Sequence, residues 1–193
     1  MPVEHVVICD TEMTDKQTAV IMAAFSSASS KTKTLNIGRS RGVRSVEPVL
    51  LARAAANLEE LDLSNLGLSS HQLKAILTEV SAGGSRLKKL DIRFNWCLDS
   101  VAPGVLARGL NSLEDIFISP TNLTREQAEA LFTAIIGGTK LKIINMALCN
   151  LAPVEPALLA NALNMLEVVN MTMSGLDNHP LKAIATSLAS GLS

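Results

Sequence analysis

Residues 58–68 read LEELDLSNLGL, and the spacing of the leucines in this stretch decides the fold. Leu58, Leu61 and Leu63 follow the order L-x-x-L-x-L, and Leu66 and Leu68 close a polar-rich turn. Side chains alternate between the two faces of a strand. Leu61 and Leu63 therefore face one way while Glu60 and Asp62 face the other, as on a short half-buried strand. The pattern returns along the chain. Aligned on the first apolar place, its copies begin at Val3, Thr32, Leu58, Leu87, Leu113, Leu141 and Leu166, at intervals of 29, 26, 29, 26, 28 and 25 residues. Periods in this range with this order of leucines mark leucine-rich repeats, each a short strand followed by a helix. The expected strand cores are 6–8, 35–37, 61–63, 90–92, 116–118, 144–146 and 169–171, which fill residues 1–193 as one domain.

Long and short repeats differ in how their helices begin. Thr14, Ser69 and Thr124 each stand three residues before a glutamine (Gln17, Gln72 and Gln127), the spacing of a capping box. Gly83-Gly84 and Gly137-Gly138 mark two helix ends, because glycine takes the left-handed conformation a C-terminal cap needs. The short repeats read VEPVLLAR from Val46, VAPGVLAR from Val101 and VEPALLAN from Val154. Their prolines, Pro48, Pro103 and Pro156, suit a first helical turn, where a missing N–H leaves nothing unpaired.

Alternating repeats of this length, each a strand and a full helix, resemble the ribonuclease-inhibitor class of leucine-rich repeats. That class includes ribonuclease inhibitor and the sensor domains of nucleotide-binding innate immune receptors. The resemblance covers essentially the whole chain. It implies an α/β fold, a right-handed horseshoe solenoid of about seven strand–helix repeats, with a parallel concave sheet inside and helices outside. It also implies a protein partner held on the concave face.

The composition agrees with a layered aliphatic core, since 48% of residues are hydrophobic but only 3% aromatic, with no tyrosine. A net charge of −1 gives no reason to expect nucleic acid or an anionic membrane. No apolar run approaches the roughly 20 residues of a membrane span. The start, MPVEHVVICD, lacks the charged and apolar segments of a signal peptide. Cys9, Cys97 and Cys149 are odd in number and far apart, which reads as free thiols in a reducing, cytoplasmic setting. Two glycosylation sequons, at Asn122 and Asn170, are near chance.

No metal and no cofactor is expected. His5 and Cys9 share a strand face but lie four residues apart, about 13 Å, too far for one ion. Phosphate-loop, dinucleotide and nucleophile-elbow motifs are absent. The ninth place of each repeat, usually small and polar, should hydrogen-bond the turn; it holds Thr11, Ser40, Leu66, Asn95, Thr121, Cys149 and Ser174, and Leu66 breaks the series. The second place alternates Glu4, Lys33, Glu59, Lys88, Glu114, Lys142 and Glu167, a charge ladder across adjacent strands.

The third, fifth and seventh places point out of the concave face. They bring Glu60, Asp62, Lys89, Asp91, Arg93, Asp115 and Phe117 to its middle. The turn 95–98 holds one residue more than the matching turn 121–123, so Trp96 should bulge, with Phe94 just before it. Aromatic and arginine side chains are the usual interface anchors, so these nine residues are the expected partner-binding patch. The expected function is a non-enzymatic protein–protein interaction scaffold. Two alternatives stand beside it: a regulatory or sensor fragment of a larger innate-immune receptor, and a hydrolase using Asp62 and Asp91 as paired carboxylates. Catalysis needs a cleft that excludes water, which an open concave sheet lacks. Solenoids need polar caps, and a first strand so close to the start of the sequence points to self-association through an uncapped end.

Overall fold

The structure, a computed structural model, describes residues 3–121 and 123–190. Asn122, named above for its sequon and its turn, lies outside them. Among the described residues, three-residue strands alternate with helices: β1 (His5–Val7), α1 (Asp15–Phe25), β2 (Thr34–Asn36), α2 (Pro48–Asn57), β3 (Glu60–Asp62) and α3 (Ser70–Ser81). They continue with β4 (Lys89–Asp91), α4 (Pro103–Asn111), β5 (Asp115–Phe117), α5 (Arg125–Ile136), β6 (Ile143–Asn145), α6 (Pro156–Leu163), β7 (Val168–Asn170) and α7 (Asn178–Ser190). Each strand pairs in parallel with its sequence neighbours, in the order β1 to β7. Parallel neighbours need a crossover, and the helices supply it. The helices pack on one another in succession, which leaves the sheet open on its far face.

The register carries no slip. Leu61 pairs with Leu90, Leu90 with Ile116, and Ile116 with Ile144, so one repeat place stacks into one ladder. All four are buried. At the ends Val6 and Val169 are only partly covered, since each lacks a neighbouring strand on one side. The strands begin and end one residue earlier than expected, at 60–62 rather than 61–63, for example. Hydrogen bonding nevertheless continues through the expected core, because Leu63 N–H donates to Asp91 C=O at 2.8 Å.

The helix signals act as their chemistry dictates. Thr14, Ser69 and Thr124 accept from the backbone N–H of Gln17, Gln72 and Gln127, and each glutamine side chain accepts from the cap N–H in return. Pro48, Pro103 and Pro156 open α2, α4 and α6. Gly83 and Gly138 take φ of 91° and 117° just past α3 and α5.

Two of those glutamines have a second task. Gln72 Nε2 donates to Val43 C=O and Val46 C=O, both at 2.8 Å. Gln127 Nε2 donates to Leu98 C=O and Val101 C=O, both at 2.6 Å. These carbonyls lie in the connection of the preceding repeat, inside the protein, where water cannot satisfy them. Gln17, in the first described repeat, is exposed. The turns are tied together in the same way. Ser40 Oγ donates to Ile8 C=O at 2.8 Å and accepts from Thr11 N–H at 3.2 Å.

This explains the break at Leu66. Asn95, from the next repeat, donates through Nδ2 to Leu63 C=O at 2.9 Å and Ile92 C=O at 3.1 Å, and accepts from Leu68 N–H at 3.0 Å. One amide thus serves two turns, and the polar residue missing at Leu66 is not needed there.

Two stability measurements check this architecture. Leu90→Ala should cost about 2–5 kcal/mol in denaturant melts, the usual range for a fully buried leucine; a cost under about 1 kcal/mol would contradict the stacked ladder. Gln72→Ala strands two buried carbonyls and should cost at least about 2 kcal/mol. Gln17→Ala loses only an exposed cap contact and should cost about 1 kcal/mol or less. Equal costs at the two positions would contradict the inter-repeat role.

Candidate functional site

The open face is built on the fifth place of the repeats, which is Asn or Asp in five of the seven. Asn36, Asp62, Asp91, Asn145 and Asn170 each accept, through Oδ1, the N–H of the residue two further on: Gly38, Ser64, Arg93, Ala147 and Thr172, at 2.9–3.1 Å. A short strand leaves that N–H without a ladder partner, and an Asn or Asp side chain is the local means of bonding it. Asp62 and Asp91 do sit side by side in the register. Both, however, hold their own backbone. Asp91 is almost wholly buried and also grips Arg93, with Nη2 to Oδ2 at 2.6 Å and Nε to Oδ2 at 2.9 Å. The hydrogen bonds that Arg93 donates to Asp91 raise the Arg93 pKa, so its charge is secure. The geometry that motivated a carboxylate pair is thus accounted for by the turns.

Phe117 breaks the fifth-place series inside the array, as Val7 does at its first strand. It pairs with Asp91 on one side and Asn145 on the other and bonds no backbone. Its half-buried ring has Lys89 Nζ 5.6 Å and Arg93 Cζ 5.5 Å from its centroid, within reach of cation–π attraction. Lys89 also lies 3.9 Å from Glu60. Glu60, Asp62, Lys89, Asp91, Arg93 and Phe117 line one depression of about 450 Å³ on the open face. Asp115 stands beside Lys89 in the register but outside that lining.

Phe94 and Trp96 are elsewhere, which corrects the expectation of one central patch. They line a separate groove of about 670 Å³ at the turns that follow the strands, with Arg39, Arg41, Arg44 and Asn65. The cause is local. Phe94 occupies the eighth place at φ 59°, a left-handed conformation that takes its side chain out of the strand's alternation. Trp96 is 59% exposed in the bulged turn, so it does not fold over the repeat edge as packing.

The charge ladder resolves into separate pairs, Glu4–Lys33 at 2.7 Å and both Glu59–Lys88 and Glu114–Lys142 at 3.0 Å. Among the described residues Glu167 has no such partner. Hydrogen bonds from the lysines hold Glu4, Glu59 and Glu114 below the ordinary carboxyl value of 4.5. These pairs therefore support the fold fully above that value and cease to as pH falls through the lowered pKa values. They are exposed and screened by salt, so their contribution is small. Burial pushes the Cys97 thiol up to about 11 and raises Cys149 as well, so both stay protonated near neutrality. Among the described residues no cluster of His, Cys, Asp and Glu is set to hold a metal. No helix among them is long and apolar enough to cross a membrane.

Parallel order, in-register leucine ladder and strand–helix units define a leucine-rich-repeat solenoid. Among solved structures, the tropomodulin C-terminal domain of Caenorhabditis elegans is similar, with a TM-score of 0.58 and 13% identity over 75% of this chain and 91% of that one. At that identity the likeness is one of fold. No known protein family and no curated protein matches the sequence.

The fifth-place reading predicts a contrast. Asp62→Asn keeps the Oδ1 acceptor and should change stability by no more than about 0.5 kcal/mol. Asp62→Leu leaves the Ser64 N–H unbonded and should cost about 1 kcal/mol or more. Paired urea melts of the two variants give the comparison, and equal losses would contradict it.

Proposed function

We propose that the protein is a non-enzymatic interaction scaffold whose protein partner docks on the open face of the sheet around Phe117. One observation carries this reading. Phe117 stands where the neighbouring repeats place a backbone-bonding Asn or Asp, and it presents a ring flanked by Lys89 and Arg93. The fold gains no turn hydrogen bond from a phenylalanine at that place. An aromatic and an arginine, ringed by Glu60, Asp62 and Asp91, match the make-up of an interface hot spot. Anchors held on paired strands also lose little freedom when a partner binds.

The alternation of long and short repeats supports the ribonuclease-inhibitor-like class within the solenoid family. Three free thiols support a reducing, cytoplasmic setting. The sheet edges support self-association, since β1 and β7 are each paired on one side alone in the described sheet. Head-to-tail stacking would set Glu167 against Glu4 of the next copy, so pairing between like edges is favoured. Sedimentation at rising concentration tests this, and a strictly monomeric protein contradicts it.

The docking reading is tested by affinity capture with the wild type, Phe117→Ala and, as a helix-side control, Glu126→Ala. A specific partner should bind Phe117→Ala about tenfold more weakly, about 1.4 kcal/mol, with an unchanged melting temperature. It should bind the control normally. Loss of the partner with the control, or unchanged affinity for Phe117→Ala, would move the site off this face.

A further inference from the structure

The turns beyond the strands carry a second surface with different chemistry. Repeat geometry makes the eighth place left-handed, with φ between 53° and 60° at Asp10, Arg39, Asn65, Phe94, Leu148 and Met173. Asp and Asn adopt that conformation readily, whereas a bulky side chain is strained in it. Arg39, Phe94, Leu148 and Met173 all bear it, so the conformation belongs to the repeat; at Phe94 it holds an aromatic ring outward with 45% of its surface exposed. Trp96, two residues on, is exposed beside it.

Arg39, Arg41 and Arg44 line the same groove. Among the described residues no carboxylate lies within the 4.0 Å ion-pair distance of Arg39 or Arg44. Arg41 has only a solvent-exposed contact with Glu12, at 3.6 Å. Arg44 lies against the bare backbone of Gly67, where a Cβ would come within 2.9 Å of its Nε. Asp15 is the carboxylate in the lining, and Ser45 Oγ donates to it.

We propose that this groove binds an extended acidic segment of a partner protein, with carboxylates on the three arginines and an apolar side chain between Phe94 and Trp96. Guanidinium groups match carboxylates through paired hydrogen bonds, and exposed aromatic faces take an apolar anchor. The arginines belong to the turn after β2 and the aromatics to the turn after β4. Two strand spacings separate them, roughly 10 Å, which about three extended residues span. The segment therefore carries its acidic residues about three positions from its apolar one. Nucleic acid is the less favoured occupant. Tracking a phosphate backbone needs a continuous basic stripe, and here Glu12 and Asp15 interrupt the arginines on a chain of net charge −1.

Fluorescence anisotropy of a short labelled peptide tests the proposal. The probe carries one tryptophan and a run of glutamates about three residues away. Controls are the same peptide with glutamine for glutamate, the same peptide with alanine for tryptophan, and a single-stranded uridine oligonucleotide. The glutamate peptide should bind with salt-sensitive affinity, and each peptide control about tenfold more weakly or less tightly still. Arg39→Glu combined with Arg44→Glu should weaken binding about tenfold or more. Phe94→Asn should do the same while holding or raising the melting temperature, because asparagine suits the left-handed place. Phe117→Ala, on the other surface, should leave the peptide affinity unchanged. The proposal is overturned if glutamate and glutamine peptides bind alike, if the oligonucleotide binds more tightly than the peptide, or if both groove variants bind as the wild type does.

Discussion

The structure depends on side chains that bond the backbone of the repeat next door. Strands of three residues are too short to satisfy every polar group in the connections between strand and helix. Those connections run through the protein interior, where an unpaired carbonyl costs about 1–3 kcal/mol. Gln72 and Gln127 each reach back one repeat to two such carbonyls, and Asn95 reaches back to a third and to one amide N–H. The first four repeats are therefore each completed by their successor. Stability in such an array is a sum of repeat and nearest-neighbour contributions, which matches the half-covered cores at β1 and β7.

This support comes from the helix side and from the turns, so the open face is left to serve another purpose. Its repeating rule is an Asn or Asp that bonds its own turn. Phe117 on the face departs from this rule between two strands that keep it, without any gain to the fold. Places where local rules fail in an otherwise consistent structure are where function is expected. Phe117 and Phe94 open onto different surfaces, one mixed in charge and flanked by acidic residues, the other basic and aromatic. A single solenoid thereby presents two chemically distinct surfaces.

Much of the fold was legible in the sequence because a solenoid writes its geometry as a period. The leucine spacing gave the register, the Thr14, Ser69 and Thr124 boxes gave three helix starts, and Pro48, Pro103 and Pro156 gave three more. The second role of Gln72 and Gln127 was hidden, since it depends on what lies one repeat away in space. The break at Leu66 was visible, but its explanation sat in Asn95, at the same place one full repeat later. The candidate site was legible only in part. Glu60, Asp62, Lys89, Asp91, Arg93 and Phe117 come together as strand alternation implies, whereas Phe94 and Trp96 do not. The signal for that separation was present in Asp10 and Asn65, residue types suited to φ above zero, at the same place as Phe94.

Amide hydrogen exchange of the free protein tests most directly the claim that neighbouring repeats complete one another. Protection should peak in β3 to β5, with the Leu63 and Ile92 amides exchanging only on global unfolding, and should fall toward β1 and β7 as the ends open first. Protection at β1 and β7 equal to that at β4 would contradict the account.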